Sequence, residues 1–253
     1  MLIDTHCHLD AAEFDADRDA VYAAALAAGV ERIVVPAVAV AGFAKTRETV
    51  GRYPACRPAY GIHPLHAMAA GPSDLAVVRD WLQRERPIAV GEIGLDLFVT
   101  GLDPQRQEYL FVEQLKLARE FDLPVLLHVR RAVDPVLKQL RRIGIRGGIA
   151  HAFNGSRQQA EVFIKLGFGL GFGGAMTFGG STRIRELAIH LPLESIVLET
   201  DAPDIPPAWL NGGRNTPAEL PRIADELAAL RGLSGEQVRA VCAGNARRIL
   251  SDI

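Results

Sequence analysis

Short apolar runs alternate with longer stretches of mixed polarity from the first residues to about position 200. Eight of these runs read as strands, over residues 2–6, 32–37, 58–63, 88–92, 124–129, 147–151, 168–173 and 196–200. Most are almost continuously hydrophobic, as strands covered on both faces must be. The stretches between them have helical spacing, clearest over 107–121, where Leu110, Phe111, Leu115, Ala118 and Phe121 share one face and Glu113, Lys116, Arg119 and Glu120 fall opposite. The alanine-rich run 19–28 is a second helix, stopped by Gly29, and further helices are expected over 74–84, 135–142 and 157–166. Strand and helix alternating in this way predict repeated βα units around a parallel sheet.

After the eighth run comes a Pro- and Gly-rich loop, 202–217, followed by helical stretches over 221–231 and 234–250 that could cover the last strand. A loop of that length is more often functional than idle. No linker long enough to separate domains interrupts the chain. At 253 residues it has about the usual size of one α/β barrel, so the expectation is a single (β/α)8 TIM-barrel domain over residues 1–253.

Charge narrows the partners. Lys and Arg number 28 against 30 Asp and Glu, a formal net charge of −2, which provides no broad basic face for duplex DNA. A nucleic-acid substrate would have to be held locally, and transiently, by metal ions and a few arginines. Cys7, Cys56 and Cys242 are odd in number and far apart, so neither a disulfide framework nor a thiolate metal site is expected. Met1 runs straight into Leu-Ile-Asp-Thr-His without a basic or apolar leader, and no stretch approaches a membrane span. A cytoplasmic protein with no membrane association and no obligate protein partner is expected.

Polar residues stand where several apolar strands end. His6 and His8 are two apart, so on extended backbone they project to one side while Cys7 projects to the other. His63, Glu92, His128, His151 and Asp201 close other runs. In a (β/α)8 barrel all strand C-termini meet at one rim, where such enzymes carry their sites. Any one of these residues alone would be an ordinary capped or hydrogen-bonded group. Together, four imidazoles (His6, His8, His128 and His151) and two carboxylates (Glu92 and Asp201) suit two divalent cations with one carboxylate bridging them. The run Gly169-Leu170-Gly171-Phe172-Gly173-Gly174 satisfies a dinucleotide-binding pattern. Its period-2 alternation of Phe168, Leu170 and Phe172 instead places these glycines inside a strand, where close packing explains them.

Several segments resemble the TatD family: Asp4-Thr5-His6-Cys7-His8-Leu9-Asp10, Gly61-Ile62-His63-Pro64, Gly91-Glu92-Ile93-Gly94-Leu95-Asp96, His151-Ala152-Phe153-Asn154-Gly155 and Glu199-Thr200-Asp201-Ala202-Pro203. So do residues 124–130, 213–217 and 245–248, so the resemblance covers almost the whole chain, and 94–98 and 200–206 are most similar to the YjjV-like branch. The resemblance implies a metal-dependent nuclease. In it, His6, His8 and Asp201 hold a first metal, His128 and His151 a second, and Glu92 bridges the pair. Asp201, Glu92 and His63 are then the expected catalytic residues, with Asp201 accepting a proton and His63 donating to a phosphate oxygen or leaving group. Arg130, Arg214 and Asn215 are the candidates for holding substrate. Asp4, Asp10, Asp96 and Glu199 are expected to support histidines or cap turns. Residues 177–181 depart most from the family's usual text.

The expected cofactors are two divalent metals, with Mg, Mn and Zn all compatible with the donors. DNA, as single strands or ends, is the first substrate expectation. The same barrel mouth could also hydrolyse a small amide, lactone or ester, and a non-enzymatic platform with structural metals is a third reading.

Overall fold

A computed structural model describes residues 2–251 and 253, and its one sheet holds eight parallel strands in sequence order. They are β1 (Leu2–Asp4), β2 (Val30–Pro36), β3 (Cys56–Tyr60), β4 (Ala89–Asp96), β5 (Val125–Arg130), β6 (Gly148–Ala150), β7 (Phe168–Phe172) and β8 (Ile196–Leu198). Backbone bonds from Thr5 N to Leu198 O (3.1 Å) and from Asp201 N to His6 O (2.8 Å) bring the first and last strands together, making a nearly closed (β/α)8 barrel. Every apolar run read as a strand carries one. The expected β1 and β8 extend two residues too far, because the chain leaves the ladder at those points to enter the barrel mouth.

The helices among the described residues are α1 (Arg18–Ala27), α2 (Phe43–Arg52), α3 (Pro72–Glu85), α4 (Pro104–Glu120), α5 (Val133–Ile143), α6 (Arg157–Lys165), α7 (Thr182–His190), α8 (Leu220–Arg231) and α9 (Gly235–Ile249). None is long and apolar enough to cross a membrane. Local chemistry sets their ends. Ser156 and Ser234 accept from the amides of Gln159 and Gln237, whose side chains bond back to the Ser156 and Ser234 amides. Gly144 and Gly232 close α5 and α8 in the left-handed region that glycine enters without penalty.

Alternate strand residues pack in two different places. Val125 and Leu127 of β5, Ile196 and Leu198 of β8, and Phe168, Leu170 and Phe172 of β7 join the large core shared with the helices. The residues between them form a separate interior cluster: Ile3, Val34, Ala59, Ala89, Leu126, Ile149 and Val197, packed with Ala243, Ala246, Ile249 and Leu250 at the end of α9. On β7 that inward position is Gly169, and a Cβ there would stand 2.6 Å from Ile249 Cδ1, so α9 fills the space of the missing side chain. Each fully buried Val, Leu or Ile side chain in this plug contributes roughly 1.5–3 kcal/mol.

Candidate metal centre

The inward faces that carry Leu126 and Ile149 carry His128 and His151 two residues later, and the same strand period takes Ala59 to His63 and Val197 to Glu199 and Asp201. The chain therefore turns from apolar to polar toward the strand C-termini, and the expected residues converge there. Glu92 lies at the middle. Its Oε2 is 3.2 Å from His6 Nε2 and 3.7 Å from His8 Nε2, while its Oε1 is 3.1 Å from His128 Nδ1 and 3.5 Å from His63 Nε2. Asp201 Oδ1 faces the Nε2 atoms of His6, His8 and His151 at 3.7, 3.6 and 3.7 Å.

Three overlapping groups have donor atoms within 4.8 Å of one another: His6, His8 and Asp201; His6, Glu92 and His151; and His63, Glu92 and His128. One feature differs from the resemblance. The neighbour of His128 is His63, with ring centroids 4.3 Å apart, whereas His151 stacks on His6 at 3.9 Å and turns toward Asp201.

Hydrogen-bond partners distinguish the imidazoles. His8 Nδ1 lies 3.2 Å from Pro36 O, His151 Nδ1 lies 3.0 Å from Glu199 Oε1, and His128 Nε2 lies 3.0 Å from Asp96 Oδ2. Pro36 O can only accept, so the proton of a neutral His8 sits on Nδ1 and the lone pair of Nε2 faces the centre, whereas His128 meets a carboxylate oxygen at each nitrogen, Glu92 at Nδ1 and Asp96 at Nε2. His63 is reversed. The Leu65 amide donates to its Nδ1 at 3.1 Å, so a neutral His63 carries its proton on Nε2 and presents a donor toward Glu92 and the cavity.

Electrostatics point the same way. Burial lowers the pKa of His6 and of His63, keeping both neutral near pH 7. Burial alone would raise Glu92, but His63, His6 and His128 outweigh it and hold this carboxyl well below the ordinary range. Burial would also lower His151, yet Glu199, Asp201 and Glu92 push it up to about 10. The carboxylates thus exceed the positive charge available around them. Neutral imidazoles beside carboxylates that draw a proton onto His151 fit a divalent cation, which would take the place of that proton.

Surrounding residues fix these positions. Glu199 accepts from the Ala152 amide at 2.6 Å, and a Cβ at Gly171 would lie 2.1 Å from Glu199 Oε2. Close approach therefore accounts for the glycines of β7, as their strand period implied. Asp96 and Glu199 meet histidines as expected. Asp4 accepts from the His6 amide at 3.3 Å, as a turn cap does, and also joins β1 to the segment after β8, accepting from Thr200 N (2.9 Å) and Thr200 Oγ1 (2.5 Å), and Asp10 accepts from Thr46 Oγ1 at 2.5 Å. Arg131, Ala152, Asp201 and Ile205 have φ of 54°, 43°, 58° and 43°, uncommon for non-glycine residues, and all lie just beyond strand ends at this rim.

Above the centre opens a cavity of about 1170 Å³, whose wall includes His63, Phe98, Arg130, Arg131 and Arg183. No carboxylate pairs with any of these three arginines among the described residues. Arg214 and Asn215, expected to hold substrate, are placed elsewhere. Arg214 is bound to Asp17 (3.0 and 2.5 Å) and packs over Phe14, so its charge is already paired. Asn215 is fully buried and donates to Thr200 O (2.7 Å) and Asp204 O (2.9 Å), bracing the loop around Asp201. Phe98, Arg131 and Arg183 were not anticipated as site residues, although Phe98 closes the segment 94–98 and Arg131 follows the segment 124–130, both already singled out, and Arg183 follows no signal in the sequence.

Fold and site together define a metal-dependent hydrolase on a parallel barrel. The family model for TatD related DNase matches residues 3–251, and the chain belongs to the TatD family. It is 41% identical over 250 residues to the uncharacterized metal-dependent hydrolase YjjV of Escherichia coli K12, covering 96% of this chain and 95% of the relative. The crystal structure of that protein superposes with a TM-score of 0.96, covering 100% of this chain and 98% of the other. A second relative, the 3'-5' ssDNA/RNA exonuclease TatD of Salmonella typhimurium, is 32% identical over 260 residues, covering 98% of each chain.

Proposed function

We propose that this hydrolase is a phosphodiesterase that cleaves DNA at single strands or ends. The observation that carries this reading is the trio Arg130, Arg131 and Arg183, which lacks carboxylate partners on the wall of the cavity above the histidine and carboxylate cluster. Guanidinium groups in that position suit the oxygens of an anionic substrate. The name of the Salmonella relative agrees with it. A recessed cavity in a protein of net charge −2 also favours a strand that can thread in over an intact duplex.

His6, His8, Glu92, His128, His151 and Asp201 would hold two divalent cations, Mg, Mn or Zn, and Glu92 turns one oxygen to His6 and His8 and the other to His128 and His63. When bound, such cations withdraw charge from a phosphoryl group and make water more acidic. The protein's own groups do the rest. Asp201, partly exposed beside three imidazoles, accepts the proton of the attacking water. His63, with its proton on Nε2, hydrogen-bonds the phosphate or the departing oxygen. Arg130 takes two phosphate oxygens in parallel.

The test is cleavage of end-labelled single-stranded DNA by metal-stripped protein with Mg2+, Mn2+ or Zn2+ restored in turn. Laddering that needs metal and disappears in Glu92→Gln supports the reading. Intact DNA with every metal would overturn it and favour a small phosphoester, amide, lactone or ester.

A further inference from the structure

The cavity wall carries an aromatic side chain that the chemistry above does not use. Phe98 follows β4, and its residue is 43% exposed although the ring is large and apolar. The guanidinium carbon of Arg130 lies 3.9 Å from the centre of this ring and that of Arg131 lies 4.6 Å from it. An exposed ring with two cations over it, at the edge of a cavity, has the composition of a surface on which single-stranded nucleic acid stacks its bases while its phosphates meet the charges.

The placement of this ring is tied to the centre itself. Asp96 accepts from the Phe98 amide at 2.9 Å and from the Val99 amide at 3.0 Å, and the same carboxylate meets His128 Nε2 at 3.0 Å. The backbone of Asp96 is in turn clamped by Gln107 of α4, which accepts from its amide at 2.8 Å and donates to its carbonyl at 2.9 Å. Arg130 stands two residues beyond His128 on the same face of β5, about 7 Å further toward solvent. One carboxylate therefore sets both the histidine below and the start of the loop that bears the ring.

We infer that Phe98, flanked by Arg130 and Arg131, is a base-stacking platform that makes the cavity selective for an unpaired nucleotide next to the reacting phosphate. The inference rests on the phosphodiesterase reading and specifies how that site chooses its substrate. A base held in a duplex cannot offer its face to the ring, so stacking requires a frayed or single-stranded end. Because every base has such a face, the platform favours single strands without favouring a sequence.

Binding and cleavage can be read separately. The binding probe is a set of short single-stranded DNA oligonucleotides, each with 2-aminopurine at one position, mixed with metal-stripped protein. Wild type is expected to quench the fluorophore at one position near the end. Phe98→Ala should lose that quenching and bind about tenfold more weakly, whereas Phe98→Trp retains both. In the Mn2+-loaded enzyme, the wild-type preference for an oligonucleotide with a base over one with an abasic residue at that position should collapse toward parity in Phe98→Ala. Unchanged quenching and an unchanged base-to-abasic ratio in Phe98→Ala would overturn the platform while leaving the phosphodiesterase reading intact. Binding with Phe98-dependent quenching but no cleavage under any metal would overturn the cleavage reading and leave the platform standing. No binding by the metal-stripped protein together with no cleavage under any metal would overturn both.

Discussion

The interior of the barrel has two ends built from the same strands. Along β5 and just past β6, a single residue separates an apolar side chain from a metal-binding candidate: Leu126 from His128, and Ile149 from His151. Below, seven strands and α9 fill the space with aliphatic carbon. Above, the same inward faces gather imidazoles and carboxylates that burial disfavours in their charged forms. The contrast shows a division of labour along each strand, with the lower layer holding the barrel together so that the upper one can keep groups that do not stabilise it.

Leu126→Ala strikes the lower layer and should have the largest thermodynamic effect, roughly 2–5 kcal/mol of stability by denaturant unfolding. Activity per folded molecule should stay near wild type. A large fall in kcat at unchanged stability would show that the two layers are not separable in this way. Gly171→Ala acts between the layers, because the added Cβ would press on Glu199. Overpacking of this kind costs about 1–3 kcal/mol, and it should also misplace His151, which metal-binding calorimetry would register as weaker uptake.

Asp96→Asn touches only the upper layer. Losing the carboxylate that orients His128 is expected to weaken metal affinity by about 10–100-fold, with unfolding of the metal-stripped protein little changed. Smallest is Arg214→Ala. Its pair with Asp17 is exposed and screened by solvent, so stability should barely change, and KM should not move. A severalfold rise in KM would return Arg214 to the substrate path.

Much of this was legible in the chain. All eight strands were, because burial on both faces makes each one an apolar run that stands out from its surroundings. The centre was legible for the complementary reason, since a His or Glu at the end of such a run has no place in a core. Helix α2 was missed because it buries Thr46 and Thr49 beside Phe43, so it lacks an apolar period, and α7 starts after glycine-rich text and buries only Leu187 and Ala188. Arg214 and Asn215 misled because a loop residue's partner is set by tertiary contact. Asp17 lies 197 positions away in the chain. The Phe98 platform was invisible for the same reason, as sequence does not say which loop aromatic stays exposed or which arginines reach it.

The upper layer should behave as a divalent metal centre organised around Glu92. Calorimetric titration of Mn2+ into metal-stripped wild type and Glu92→Gln, paired with thermal unfolding, tests it most directly. Wild type should bind and gain about 2.7 kcal/mol of stability at a hundredfold excess over Kd, while Glu92→Gln, folded and with a similar metal-free Tm, should bind far more weakly and gain little. Equal uptake and equal stabilisation in the two proteins would contradict the account.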